Sequence, residues 1–113
     1  MVRSAAKNHS DVIVLTSPEQ YPSVLESLSG ANGDPSGVDN ATRQSLALVA
    51  YQSTAAYDAA VSNELENRFL QRDVPSRIHV SSGSGSELRY GENPHQPAAL
   101  YLDSSAAPGI AQA

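Results

Sequence analysis

Asp11-Val12-Ile13-Val14-Leu15-Thr16 decides the fold class of this chain. Four aliphatic residues stand side by side with no polar residue between them. A half-exposed strand alternates polar and apolar residues, so a run without alternation predicts a strand buried on both faces, as in a parallel sheet. On its amino side, Met1-Val2-Arg3-Ser4-Ala5-Ala6-Lys7-Asn8-His9 reads as the back half of a helix, with Lys7 and His9 near the end where cations favour the helix dipole. On its carboxyl side, Ser17-Pro18-Glu19 starts a helix whose stripe is Tyr21, Val24, Leu25 and Leu28, proline being tolerated in a first turn. Helix, buried strand, helix predicts the α/β class. Such a strand needs hydrogen-bonding neighbours on both sides. No second convincing parallel strand follows, so the neighbours are expected in sequence outside this chain, which then reads as a fragment.

Further along, residues 29–38 hold Gly30, Gly33, Gly37, Asn32, Asp34 and Pro35 and predict a loop. Asp39 or Asn40 then caps a long helix running to about Gln71. Leu46, Val49, Ala50, Tyr57, Val61, Leu65 and Phe69 give it an apolar face over its whole length. Some 30 residues at 1.5 Å each span roughly 45 Å, so the helix is expected to reach beyond one core. Ser81-Ser82-Gly83-Ser84-Gly85-Ser86 gives residues 72–87 the composition of a flexible linker. Residues 98–102 read as a short strand, and the tail to Ala113 has no helical stripe. The predicted organisation is therefore 1–38, helix 39–71, linker 72–87 and a further segment 88–113.

The chain has 113 residues, enough for one domain and too few for two large ones. Leu, Ile, Val and Phe supply only about a fifth of it, which predicts a small core. The net charge is −5 and no run of Lys or Arg appears, which argues against nucleic acid as a partner. No apolar run approaches the roughly 20 residues of a membrane helix. The absence of cysteine removes disulfides, thiolate catalysis and cysteine-ligated zinc, and fits a cytoplasmic protein. His9, His79 and His95 lack helical ligand spacing, so no metal site is expected.

The richest chemistry lies in Leu88-Arg89-Tyr90-Gly91-Glu92-Asn93-Pro94-His95-Gln96. Gly91 and Pro94 interrupt both helix and strand. Arginine grips a phosphate or carboxylate through two parallel hydrogen bonds, and tyrosine stacks on a heterocycle or donates from its hydroxyl. Asn93 and Gln96 add neutral donors and acceptors, and His95 titrates near neutrality. Taken singly, each reads more readily as an ordinary surface or loop residue. Lys7-Asn8-His9 is a second polar cluster, at a helix end, where a lysine can move a proton or steady an oxyanion. Taken alone it reads as a solvated helix terminus.

Residues 88–96 with Tyr101 resemble the entry to the transformylase domain of the bifunctional enzymes that combine AICAR transformylase and IMP cyclohydrolase. Residues 1–9 followed by 11–16 resemble the end of the cyclohydrolase domain of that family, a methylglyoxal-synthase-like α/β fold. Ala41-Thr42-Arg43 with Leu46-Ala47 and Tyr57-Asp58 resembles the long helical connector between them. The resemblance implies formyl transfer from the co-substrate 10-formyltetrahydrofolate to AICAR ribonucleotide, then cyclisation of the formylated product to IMP with loss of water. It implies Lys7 as the cyclohydrolase lysine of proton transfer and Arg89 and Tyr90 as the transformylase pair contacting AICAR. Asn93, His95 and Gln96 share the signature as further candidates for substrate binding. It also implies a homodimer.

On the same resemblance the phosphate loops of the cyclohydrolase precede Lys7, and the Lys-His pair and folate site of the transformylase follow Ala113. The chain is thus expected to be the interdomain piece of that enzyme, inactive alone and without bound folate. Two other readings stand beside it: a free-standing nucleotide-binding remnant, and a helical interaction module using residues 40–71.

Overall fold

The computed structural model describes residues 1–72, 74–80, 82, 83, 85–102 and 109. The chain divides into two compact units, Met1–Arg72 and Asp73–Ala113. Part of the expected linker and nearly all of the tail lie outside the described residues.

The first unit holds α1 (Val2–Lys7), α2 (Tyr21–Gly30) and α3 (Asn40–Leu70), with 3₁₀ turns at Pro18–Gln20 and Pro35–Gly37. Residues 12–16, expected as a strand, form none. Their neighbours alternate nonetheless. Val14 packs with Ala6, Ala47 and Ala50, while Ile13 and Leu15 pack against Val24, Val38 and Leu46. Side chains of extended backbone point to opposite sides in turn. Ile13, Val14 and Leu15 are therefore met by helix side chains and by Val38, with no strand beside them among the described residues, and that corrects the strand reading; Val12 is exposed. Its polar ends are tied locally. The Val12 N–H donates to the Asn8 carbonyl at 2.9 Å, and the Gln20 Oε1 accepts from the N–H groups of Thr16 and Ser17 at 2.8 and 3.1 Å.

Helix α2 starts after Ser17-Pro18, as its sequence predicts, but its buried stripe is narrower than expected. Val24 is buried and Leu28 partly so, whereas Tyr21 and Leu25 are exposed. Asn32 and Gly33 take positive φ, and the Gly33 N–H returns to the Leu28 carbonyl at 2.7 Å, closing the helix end. Asp34 then starts the second 3₁₀ turn, its Oδ1 accepting from the Ser36 N–H.

Asp39 is the cap of α3: its Oδ1 accepts from the Thr42 N–H at 2.7 Å. The helix ends at Gln71, which adopts the left-handed conformation (φ 46°). Only its first half is covered. Arg43, Leu46, Ala47 and Ala50 are buried, whereas Tyr57 and Phe69 are 69% and 74% exposed. The apolar face predicted over the full length is thus bare beyond the core of this unit. Between α1 and α3, Arg3 donates to Thr54 Oγ1 at 3.3 Å and to Asp58 at 2.7 Å, and the Tyr51 hydroxyl donates to the Arg3 carbonyl at 3.3 Å.

Both capping carboxylates are held below their ordinary value of 3.8, Asp39 chiefly by the Thr42 N–H and Asp34 chiefly by the Ser36 N–H. A depressed folded-state value contributes stability that is present above 3.8 and lost as the pH falls through the lower folded value. Helicity is accordingly expected to fall on acidification below pH 3.8. Asp39→Asn, which retains an acceptor but cannot titrate, should remove part of that drop. Far-UV circular dichroism between pH 5 and about 2 makes the comparison; identical acid profiles for the two proteins would discount the cap.

The second unit contains β1 (Gly85–Leu88) paired antiparallel with β2 (Ala98–Tyr101), in the register Gly85↔Tyr101 to Leu88↔Ala98. The first strand starts three residues inside the stretch read as linker. A Cβ at Gly85 would lie 2.7 Å from Cε1 of the Tyr101 ring, so the exposed tyrosine would have to shift to admit one. Serine and glycine composition cannot show that contact. Helices and a small sheet together make the chain α/β in the broad sense, with no parallel sheet among the described residues.

Candidate functional site

Five of the six predicted site residues lie in the loop between β1 and β2. Arg89, Tyr90, Asn93, His95 and Gln96 fall within residues 89–97 and are all exposed. The Leu88↔Ala98 pair holds both ends of this loop side by side. Within it four hydrogen bonds converge on one residue. The Gly91 N–H donates to the Gln96 carbonyl at 2.8 Å, and the Gln96 N–H to the Asn93 carbonyl at 3.0 Å. Gln96 Oε1 accepts from the Asn93 backbone N–H at 3.1 Å and from Asn93 Nδ2 at 3.3 Å. Gly91 allows the close approach, since a Cβ there would stand 3.3 Å from Gln96 Cβ.

Asn93 and Gln96 are therefore engaged with each other. Among the described residues no hydrogen-bonding partner meets the Arg89 guanidinium, the Tyr90 hydroxyl or the His95 ring. The loop thus presents a forked cation, an aromatic face and an imidazole to solvent. This is an arrangement able to grip a planar, anionic ligand.

Lys7, the sixth residue, belongs to the first unit. It is the last residue of α1 and is exposed. The Asn8 side chain caps beside it, Nδ2 donating to the Ser4 carbonyl at 2.8 Å. No acidic partner engages the Lys7 ammonium among the described residues. A cation at this position also complements the carbonyl end of the helix.

An open cavity of about 650 Å³ lies elsewhere in the same unit, lined in part by Arg3, Thr16, Ser17, Thr54, Tyr57 and Asp58. It contains no residue of either predicted cluster, and its Arg3 guanidinium is already paired with Asp58. Among the described residues no three His, Asp or Glu side chains gather as a metal set, and no helix is long and apolar enough to cross a membrane.

Sequence reasoning named Arg43 only within the connector motif and gave it no structural role; among the described residues it is the one charged side chain in the core. It donates to the carbonyls of Val38 at 2.9 Å, Pro35 at 2.5 Å and Ser10 at 3.5 Å. Its spacing from Leu46, Ala47 and Ala50 places it on the buried face of α3, and that periodicity was the available signal. The convergence on Gln96 was equally hidden, because an Asn and a Gln three residues apart in a loop suit many partners.

A model of the AICARFT/IMPCHase bienzyme family matches residues 5–113. Among curated relatives, the bifunctional purine biosynthesis protein PurH of Dinoroseobacter shibae is 49% identical over 116 residues, covering 100% of this chain and 21% of the relative. The protein of the same name from Jannaschia sp. is 46% identical over 113 residues, with the same coverage of each. That of Rhodopirellula baltica is 46% identical over 105 residues, covering 93% of this chain and 19% of the relative. The chain spans about a fifth of the length of these relatives.

Proposed function

The chain belongs to the AICARFT/IMPCHase bienzyme family, and on that premise we propose that it is the segment joining the two catalytic halves of such an enzyme. It carries one piece of each active site and is inactive alone. The observation that carries this reading is the composition of the loop 89–97: a hydrogen-bonded turn that leaves Arg89, Tyr90 and His95 exposed and without a hydrogen-bonding partner among the described residues.

In the parent enzyme the 5-amino group of AICAR attacks the formyl carbon of 10-formyltetrahydrofolate. Nitrogen 10 of the folate leaves, and the amine gives up a proton. Arg89 holds an anionic group of AICAR through its fork, and Tyr90 lies against the heterocycle or donates to it. Both act by fixing the amine in line with the formyl carbon. In the second reaction the carboxamide nitrogen attacks the new formyl carbon, and its oxygen departs as water. Lys7 relays a proton at that oxygen or that nitrogen, as an exposed ammonium with no carboxylate partner among the described residues can. Residues 1–38 then belong to the cyclohydrolase half and 88–113 to the transformylase half, with α3 as connector. The parent is a homodimer.

The test is replacement of the matching segment of the Dinoroseobacter shibae relative by this chain. The chimera is expected to fold and to catalyse formyl transfer and cyclisation within roughly tenfold of its parent, a loss equivalent to about 1.4 kcal/mol of barrier. A folded chimera lacking both reactions would overturn the assignment.

A further inference from the structure

Gln96 sits at the centre of every hydrogen bond recorded within residues 91–96. Its carbonyl holds Gly91, while its N–H and its side-chain oxygen both hold Asn93. A side-chain oxygen accepting two N–H groups has both lone-pair directions in use. We infer that Gln96, seconded by Asn93, is a positioning residue for Arg89 and Tyr90 and not a contact to the ligand. The inference rests on the functional reading of this loop given above.

Nine residues between two strands are too many for a tight hairpin turn and are floppy without internal bonds. The Leu88↔Ala98 pair fixes where the loop begins and ends. The Gly91–Gln96 bond then draws the chain together two residues beyond Arg89. Arg89 and Tyr90 are thus confined to a short span bounded by the strand on one side and the Gln96-held turn on the other. A ligand meeting a pre-formed loop does not have to order it on binding, and that saving appears in affinity. Of the Gln96 side chain only the oxygen takes part in this construction; its side-chain nitrogen makes no hydrogen bond among the described residues.

This last point separates positioning from contact. In the chimeric enzyme, Gln96→Ala is expected to raise KM for AICAR roughly fivefold to tenfold, with kcat held within about twofold, as for removal of a modest hydrogen-bond network acting on binding. Gln96→Glu keeps the accepting oxygen and should restore KM to within about twofold of the unmutated chimera. In the 113-residue chain, exchange of the Asn93 backbone amide should be slowed relative to an unstructured peptide, accelerate in Gln96→Ala and slow again in Gln96→Glu. If Gln96→Glu is as damaging as Gln96→Ala while Asn93 protection persists in both, the side-chain amide contacts the ligand and the inference fails. Unprotected Asn93 in the unmutated chain overturns it as well. Should Arg89→Ala leave AICAR use unchanged while Asn93 protection follows the pattern above, the functional reading of Arg89 fails and the Gln96-held loop stands.

Discussion

Replacing Arg43 with alanine is expected to lower the stability of the Met1–Arg72 unit by about 3 kcal/mol. The guanidinium is buried, and its partners are backbone carbonyls, not carboxylates. Hydrogen bonds from a charged donor contribute roughly 1.5–3 kcal/mol each, less the cost of taking the cation out of water. Two of the three carbonyls, on Pro35 and Val38, belong to the turn that delivers the chain into α3; the third, on Ser10, belongs to the segment leaving α1. Truncation leaves those carbonyls without their donor and opens a void beside Leu46 and Ala47. Arg43→Lys should recover less than half of the loss, because one ammonium cannot present a planar fork to three acceptors. Urea denaturation followed by far-UV circular dichroism reads both variants. An unchanged midpoint for Arg43→Ala would show that solvent satisfies these carbonyls in its absence.

In the chimeric enzyme, Lys7→Ala is expected to slow cyclisation by roughly 10² to 10⁴, the usual range for loss of a general acid–base group. Formyl transfer should stay within about threefold of the unmutated chimera. Arg89→Ala should do the reverse, lowering kcat/KM for AICAR in formyl transfer by roughly 10², as for loss of a bidentate charge-assisted grip. Placement of the two residues in different compact units is the structural ground for opposite selectivity. Lys7→Arg sharpens the assignment. An arginine preserves charge but does not release a proton near neutral pH, so it rescues an electrostatic role and fails to rescue proton transfer. Steady-state rates for each step, measured separately, decide the matter. Equal loss of both activities in either variant would indicate misfolding and remove the assignment.

Local chemistry was the legible part of this chain. The Asp39 cap and the Ser17-Pro18 helix start each rest on one or two residues whose backbone preferences are strong. Partners remote in sequence were not legible. Val12-Ile13-Val14-Leu15 announces burial on two sides, yet nothing in it distinguishes a sheet ladder from two groups of packed side chains. Gly85 reads as spacer until Tyr101 is placed opposite it. The stripe from Tyr57 to Phe69 has the right period for burial, and period alone does not say whether anything lies against it. In the candidate site, the residue types of Arg89, Tyr90 and His95 suggested their chemistry, while the engagement of Asn93 with Gln96 depended on a turn that no propensity specifies.

The contact between α1 and α3 at Ala6, Ala47 and Ala50 is made of the smallest side chains that can form a core. Mechanically it is a fulcrum near one end of a rod. From Ala50 to Phe69 the shaft extends about 28 Å at 1.5 Å per residue. A swing of about 5° at the alanines carries the Phe69 ring through roughly 2.5 Å, a gain set by length and not by flexibility of the helix. The Arg3–Asp58 pair, exposed on both sides, lies partway along that shaft. Enlarging one alanine by a methyl group would therefore be felt less at the fulcrum than at the far tip.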